Sequence, residues 1–459
     1  MKKIGIVITD GVGYRNFVMS NFLVEIAKKY DEVNIYSGIP TKCYNDSLIS
    51  ENIKVFDLEP YKETNKVWFY RKLKEVAHMY LHKSYFGINS NLERGYPVSN
   101  SKRNLIIKLV YKIASIFHSE KNIIFFEKLQ FNAFKRDRVY IDYKKTLEKE
   151  LPDKLFFTHQ RPPYLAPLLA AANKLKIETS AFIFSWDNLA SKGRMLGTFD
   201  SYLVWSKLMK TEMSIFYPNT DKEKIKIVGT PQFEPYVLDR YTLSKEMFFN
   251  KFKLDSNKKI ICYSCADTGI GKNDEIHIRA VLTYIKKYEN LQLLVRTSPA
   301  EDGKRFDDLK NEFPEVIWNF PKWFLSREGH TEAWSQRLPT IEDVMDLKAI
   351  LNYCDLNINM VSTMSLDFMI FDKPVINTVF GNKKNGLYDD QKFLSYVHYK
   401  HVVNSEAVTV AKNEEELHLQ MQESLDNPNL RSVQRKQLLN LKISKKLKGT
   451  SERIANSLK

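Results

Sequence analysis

No stretch of this sequence approaches the ~18–20 consecutive apolar residues of a membrane span, and no fixed-period repeat or low-complexity tract interrupts it. Transmembrane helices, solenoids and disorder therefore drop out as its main architecture. Cysteine is scarce: Cys43, Cys262, Cys265 and Cys354 are the only four. That is too few for a disulfide framework and suits a reducing compartment. Cys262 and Cys265 have the spacing of a redox or metal pair, but they lie in an apolar strand without a second ligand pair, so buried thiols are expected. The apolar stretch Ile4–Thr9 stops at Asp10, too short for the core of a signal peptide, so a cytoplasmic location is expected.

What the chain does have is an uneven charge. The formal net charge is +15, yet residues 62–145 hold 18 Lys/Arg against 7 Asp/Glu, and residues 431–459 hold 9 against 1. The remainder is slightly acidic, so the excess belongs to two segments, as a surface meeting an anionic partner would require. Within 62–145 the cations alternate with aromatics such as Trp68, Tyr80, Phe117 and Phe125. That mixture suits an anionic membrane surface and an acceptor carried on a lipid; the same residues would also build the core and solvated face of a helical lobe. A peripheral position at the inner face of the cell membrane is the expectation. Single-stranded nucleic acid is another partner for such segments. No recognition-module signature accompanies them and the charge avoids the strand segments, so nucleic acid is not expected.

At 459 residues the chain exceeds the size at which one hydrophobic core stops growing, which predicts two domains. Residues 3–9 read as a buried parallel strand, followed by the turn-rich loop Asp10–Gly13, a helix over 16–29 and a strand over 33–37. A doubly wound sheet begins this way, with ligands at the carboxyl ends of its strands. Residues 62–145 break the pattern, with helices expected over 68–85, 104–117 and 123–134. Strand signals return at 154–158, 179–184, 201–205 and 225–228. A charged helical segment over 235–257 leads to a second series, with strands at 259–264, 291–296, 316–318, 356–359 and 374–378. Its helices are expected over 274–287, 340–353, 362–371, 414–425 and 433–447. The predicted fold is α/β: two Rossmann-like domains facing across a cleft, residues 1–240 and 258–430. A helical basic insertion sits at about 62–145, and a basic C-terminal helix covers 431–459.

The stretch from Asp355 to Asp367 delivers a strand to a loop of hydroxyl residues that opens a helix. Free N–H groups at such a start favour an anion, Ser362, Thr363 and Ser365 add donors, and Asp367 is placed to accept from ribose hydroxyls. An ordinary Ser-capped helix uses the same residues. With Asp372-Lys373-Pro374-Val375-Ile376 behind it, the stretch resembles the donor site of GT-B glycosyltransferases of the bacterial surface-polysaccharide type. Leu293–Pro299 resembles the strand ending in Arg-Pro-His-Pro of that group and of the glycerophosphotransferases of teichoic acid synthesis. Val228–Glu234 resembles the segment that closes the N-terminal domain; His398–Val403 and Glu414–Leu417 are similar to the tail of the second.

The resemblance covers most of the chain outside 62–145. It implies a nucleotide-sugar donor held by Arg296, Ser298, Thr268 and Gly269 together with Ser362, Thr363, Ser365 and Asp367. It also implies a glycan or lipid-linked acceptor, with Arg15, Arg161, Asn188 and Lys192 on the acceptor side. Transfer is expected without a metal or other cofactor, Lys/Arg and backbone dipoles stabilising the leaving nucleotide. Asp343 and Asp346 read as helix, and no strand-terminal Asp-x-Asp is present. Thr297-Ser298 stands where the relatives have Pro-His, which argues against a polyol-phosphate (glycerophospho)transferase. A nucleotide-sugar epimerase on the same fold is a further alternative. Sugar transfer with inversion needs a base for the acceptor hydroxyl, and Asp10, Asp187 and His159 lie at strand ends of the first domain. Asp10, among Gly11 and Gly13, ranks first of the three.

Overall fold

The computed structural model describes residues 1–44, 50–59, 61–267, 270–299, 301–329, 333–381 and 391–459. The chain divides into two compact units, each built on a parallel sheet. The first comprises Met1–Glu234, Ser326–Gln336 and Lys442–Lys459; the second comprises Pro235–Leu325 and Arg337–Leu441.

The first sheet has seven strands: β1 (Lys3–Ile8), β2 (Glu32–Ser37), β3 (Ile53–Asp57), β4 (Lys154–Phe157), β5 (Glu178–Phe182), β6 (Ser201–Val204) and β7 (Ile225–Ile227). Their order is β3-β2-β1-β4-β5-β6-β7, every pair parallel. The central strands are apolar throughout because both faces of a parallel sheet are covered; Ile4, Ile6, Val7 and Ile8 are all fully buried. Gly5 is required by close approach, since a Cβ there would sit 2.3 Å from Leu155 and 2.7 Å from the Tyr36 ring. The chain winds outward from β1 to β3 and then returns to the other side of β1. The carboxyl ends of β1 and β4 are thus the switch point of the sheet, where open α/β sheets bind ligands.

The helix expected over 16–29 is two helices, α1 (Gly11–Phe17) and α2 (Phe22–Ala27). Asp10 accepts the Gly13 N–H and starts α1 early, while the Asn21 N–H before α2 goes to Glu234. The edge strand β3, half-exposed, was not anticipated.

The expected insertion is present between β3 and β4 as α3 (Asn65–Leu81), α4 (Phe86–Gly95), α5 (Lys102–Ile116) and α6 (Glu120–Ala133), with α7 (Arg138–Glu150) leading into β4. Thr64, Ser101, Ser119 and Asp137 cap α3, α5, α6 and α7. Leu73, Val76, Leu92, Val110, Ile123 and Phe126 give the lobe a core of its own. It is tied to the loop after β5 by polar contacts, among them the Thr198 N–H donated to Glu127 at 2.9 Å. Arg194 pairs with both oxygens of Glu120 at 2.6 and 3.0 Å and lies over the Tyr217 ring, and the buried Lys74 donates to the Leu196 carbonyl at 2.6 Å. Helices α8 (Ala166–Leu175), α9 (Asn188–Ser191) and α10 (Lys207–Phe216) complete this part of the unit.

The second unit begins with α11 (Lys245–Phe252), shorter than the charged segment suggested. Its main sheet holds β8 (Lys259–Ser264), β9 (Leu291–Arg296) and β10 (Ile317–Asn319). The antiparallel pair β11 (Trp323–Leu325) and β12 (Arg337–Pro339) stands apart from it. The main sheet resumes with β13 (Leu356–Asn359), β14 (Val375–Thr378) and β15 (Thr409–Ala411). The order β10-β9-β8-β13-β14-β15 again reverses beside its first strand. The helices are α12 (Asp274–Ile285), α13 (Asp307–Glu312), α14 (Ile341–Tyr353), α15 (Met364–Ile370), α16 (Val397–Asn404), α17 (Glu414–Asp426) and α18 (Ser432–Ile443). As expected, Cys262 and Cys265 are buried thiols.

Helix α18 ends four residues before the expected point, at Ser444, whose φ of 57° breaks it; after Gly449 (φ 77°) the chain forms α19 (Thr450–Leu458). This last helix belongs to the first unit. Glu234 accepts the Ser451 N–H at its start, and Tyr30 donates to the Leu458 carbonyl at its end. Among the described residues no helix is long and apolar enough to cross a membrane.

Removing Arg194 leaves the largely covered Glu120 carboxylate without its ion-pair partner. Arg194→Ala is expected to lower the stability of the first unit by about 3–5 kcal/mol in urea unfolding. Adding Glu120→Ala should recover part of the loss; equal losses in the single and double variants would show that the pair does not hold the lobe.

Candidate functional site

At the switch point of the first sheet the carboxyl ends of β1 and β4 bring Asp10 and His159 together, with His159 Nδ1 3.2 Å from Asp10 Oδ2. Asp10 is fully buried. It accepts the Gly13 N–H at 2.7 Å and the Thr9 hydroxyl at 2.8 Å as well as the imidazole. Burial raises its pKa, but the His159 hydrogen bond and charge, the Gly13 N–H and the Thr9 hydroxyl outweigh that and hold it below its ordinary value. A carboxylate that stays ionised and faces three donors is a poor proton acceptor and a good anchor.

His159 is held on a second side by Phe184, stacked at 3.9 Å between ring centroids. Burial lowers its pKa more than Asp10 raises it, so the neutral ring is favoured below the ordinary 6.5. With Asp10 ionised, Nδ1 carries the proton and donates it, which leaves the Nε2 lone pair bare. Nε2 has no hydrogen-bond partner among the described residues, and the side chain keeps about 10% of its surface exposed. The residue ranked first and one of its two rivals are thus one unit, with the histidine outermost.

The neighbours sort themselves. Gln160 donates to Asn188 Oδ1 and accepts the Phe184 N–H, tying the end of β4 to the loop after β5. Asn188, expected on the acceptor side, is buried with both ends of its amide engaged, the other end on Asp187. Asp187 is near enough to influence His159, but its carboxylate is shared among Asn188, Ser191 and Lys192, the last at 3.5 Å. Arg15 donates to the Gln232 carbonyl. Arg161 differs from all of these: it forms no hydrogen bond or ion pair among the described residues, its Nε is buried without a partner, and its charge reaches His159.

The second unit is more closed than its sequence suggested. Thr268 and Gly269 lie outside the described residues. Arg296 is buried, held by both oxygens of Asp343 at 3.0 and 3.1 Å and by Asn319, so its guanidinium is taken up by the fold. Ser298 is buried and donates to Asp267 at 2.5 Å. At the turn into α15 the expected free N–H groups are already used. The Ser362 N–H goes to Asn359 Oδ1, the Met364 N–H to Ser362 Oγ, and those of Ser365 and Leu366 to the Ser362 and Thr363 carbonyls. Ser365 belongs to a buried network with Asn359, Asn377 and Tyr399, and Asp367 accepts the Tyr236 hydroxyl at 2.5 Å. Ser362 and Thr363 remain half-exposed. The loop is strained as well: Val361 has φ 52°, a left-handed conformation costly for a β-branched residue and concentrated at functional turns. No group of three or more His, Cys, Asp or Glu among the described residues is placed to hold a metal ion.

No family model matches the sequence, and no curated relative does. Among solved structures, the UDP-GlcNAc 2-epimerase of Neisseria meningitidis bound to UDP-GlcNAc aligns with 100% of this chain and 99% of its own, at 11% identity and a TM-score of 0.53. The S. aureus MnaA–UDP structure aligns with 99% and 95%, at 12% identity and a TM-score of 0.53. WaaG, a glycosyltransferase involved in lipopolysaccharide biosynthesis, aligns with 99% of both chains at 12% identity and a TM-score of 0.48. At these identities the likeness speaks to the fold: two Rossmann-like units of the GT-B class, with a helical insertion in the first.

Both shifts at the switch point oppose protonation of the folded chain. Acidification is therefore destabilising, His159 losing its contribution as pH falls below 6.5 and Asp10 as pH falls below 3.8. An NMR titration of His159 should give a midpoint under 6.5, and Asp10→Asn should move it lower still. A midpoint that rises in the variant would contradict the pairing.

Proposed function

We propose that this chain is a nucleotide-sugar-dependent glycosyltransferase in which His159, oriented by Asp10, takes the proton from the acceptor hydroxyl. The observation that carries the reading is the Asp10–His159 pair at the switch point of the first sheet, with Nε2 unengaged among the described residues. General-base catalysis needs a neutral group near the operating pH within hydrogen-bond reach of the proton it removes. A histidine whose neutral form is favoured, fixed by a carboxylate on Nδ1 and an aromatic face, has those properties. As the acceptor oxygen bonds to the anomeric carbon, its proton passes to Nε2 and the sugar–phosphate bond breaks with its electrons going to the nucleotide.

Arg161 supplies a cation without a partner among the described residues beside that base, which suits an acceptor carrying a phosphate or carboxylate. Donor binding falls to the second unit, where Ser362 and Thr363 are the partly exposed hydroxyl residues at the strained turn. The acceptor is a glycan or lipid-linked molecule presented at an anionic membrane surface, which the basic insertion suits.

A second reading, nucleotide-sugar epimerisation, is favoured by the UDP-GlcNAc 2-epimerase structure that shares the fold over the full chain. The two readings part on whether an acceptor is needed. A thermal-shift panel of UDP, GDP, CMP, CDP and dTDP should show one nucleotide stabilising the protein, as any ligand of the folded state must. His159→Asn should then reduce transfer by about 10²–10⁴-fold while leaving that nucleotide shift intact. Unchanged turnover in the variant would remove His159 as the base. An epimer formed from the nucleotide sugar alone would replace transfer with epimerisation.

A further inference from the structure

Helix α5 is apolar on two opposite sides. Its inner side buries Val110, Tyr111 and Ala114 in the core of the inserted lobe. Its outer side carries Leu105, Ile106, Leu109 and Ile116, which keep 47–64% of their surface exposed, and Phe117, 49% exposed, follows at its end. Three- and four-residue spacings place Leu105, Ile106 and Leu109 next to one another along the helix, with Ile116 and Phe117 two turns on. Single exposed apolar side chains are ordinary; a cluster of large ones along one helix marks a surface that meets something.

The charges around it say what. The 21 residues from Ser99 to Ser119 include Lys102, Arg103, Lys108 and Lys112 and no Asp or Glu. Helix α6 does contain acids, but Glu120 is bonded to Arg194 and Glu127 to the Thr198 N–H, both turned into the unit. Its exposed positions Lys121, Phe125 and Lys128 repeat the mixture of cation and apolar ring. A second copy of this chain would bring the same uncompensated cations against themselves. A bilayer surface with anionic headgroups supplies both an apolar phase for the leucines and isoleucines and the opposite charge for the lysines.

We propose that the outer side of α5 is a membrane-docking surface that lies in the interface plane of an anionic bilayer, with Leu105, Ile106, Leu109, Ile116 and Phe117 inserted among the acyl chains. Lys102, Arg103 and Lys112, all exposed, meet the lipid phosphates. At 15 residues the helix is about 22 Å long, enough to lie along the surface and too short to cross it. The inference rests on the proposed transfer only for its purpose, delivery of a lipid-linked acceptor; binding itself needs neither donor nor acceptor.

Co-sedimentation of the full chain with phosphatidylcholine vesicles, with and without phosphatidylglycerol, tests it. The wild type should bind the anionic vesicles about tenfold or more tightly than the neutral ones, and less as salt is raised. The double variant Leu105→Glu/Leu109→Glu replaces exposed side chains, so its thermal unfolding and nucleotide response should be unchanged while vesicle binding falls about tenfold or more. Lys102→Gln/Arg103→Gln/Lys112→Gln should weaken binding to anionic vesicles and flatten its salt dependence. No wild-type binding, or variants that bind as well as wild type, overturns the proposal. A Glu variant that turns a dimer into a monomer without losing vesicle binding assigns the surface to a second copy instead. Because no sugar chemistry enters the assay, the docking surface can fail while His159 stands, and the reverse.

Discussion

The contact between Asp10 and His159 exists because β1 and β4 are neighbours, although 149 residues separate the two side chains along the sequence. A doubly wound sheet that builds outward from β1 and then crosses back must place the loops after β1 and β4 side by side. The buried apolar strands fix their height, and Gly5 lets β1 lie tightly between Tyr36 and Leu155. The dyad is therefore a property of the sheet before it is a property of either residue. Its electrostatics follow from the same position, since burial alone would neutralise Asp10, and it stays charged because three donors converge on it.

The second unit makes a different use of the same topology. Its switch point lies beside β8 and β13, and the turn after β13 satisfies its own N–H groups through Asn359, Ser362 and local carbonyls. Polar residues that seemed destined for a ligand, Arg296, Ser365 and Asp367, are instead engaged with Asp343, Asn377 and Tyr236. Buried polar groups need partners, and a strand end rich in Asn, Ser and Tyr provides them internally. What stays partly exposed there is narrower, Ser362 and Thr363 at a turn where Val361 is held in a strained conformation.

Much of the architecture was legible in the sequence because parallel strands buried on both faces announce themselves as short apolar runs ending in polar loops. The insertion was legible for a related reason: most of its helices have caps and apolar periodicity, though α4, short and without a side-chain cap, and the charge-rich α7 escaped notice. The break between α1 and α2 was not visible, because it depends on Asp10 and Glu234 capping from outside the helix. At the site, the sequence offered Asp10, His159 and Asp187 as competitors. Strand order alone would have paired the first two, since a long excursion after β3 is what returns the chain to the far side of β1. The engagement of Arg296 by Asp343 was beyond reach, as nothing in the spacing shows that a helix start faces a strand end.

The insertion and the dyad together make a coherent first unit, with the Asp10–His159 pair at the carboxyl ends of β1 and β4, Arg161, unpaired among the described residues, beside it, and a basic, apolar lobe anchored through Arg194 and Lys74. In the proposed mechanism Asp10 anchors and His159 acts. The imidazole ¹⁵N shifts of His159 at neutral pH report this directly, because they distinguish which nitrogen carries the proton. A neutral ring protonated on Nδ1, with Nε2 bare, is the predicted result. A ring protonated on Nε2, or an imidazolium, would contradict it.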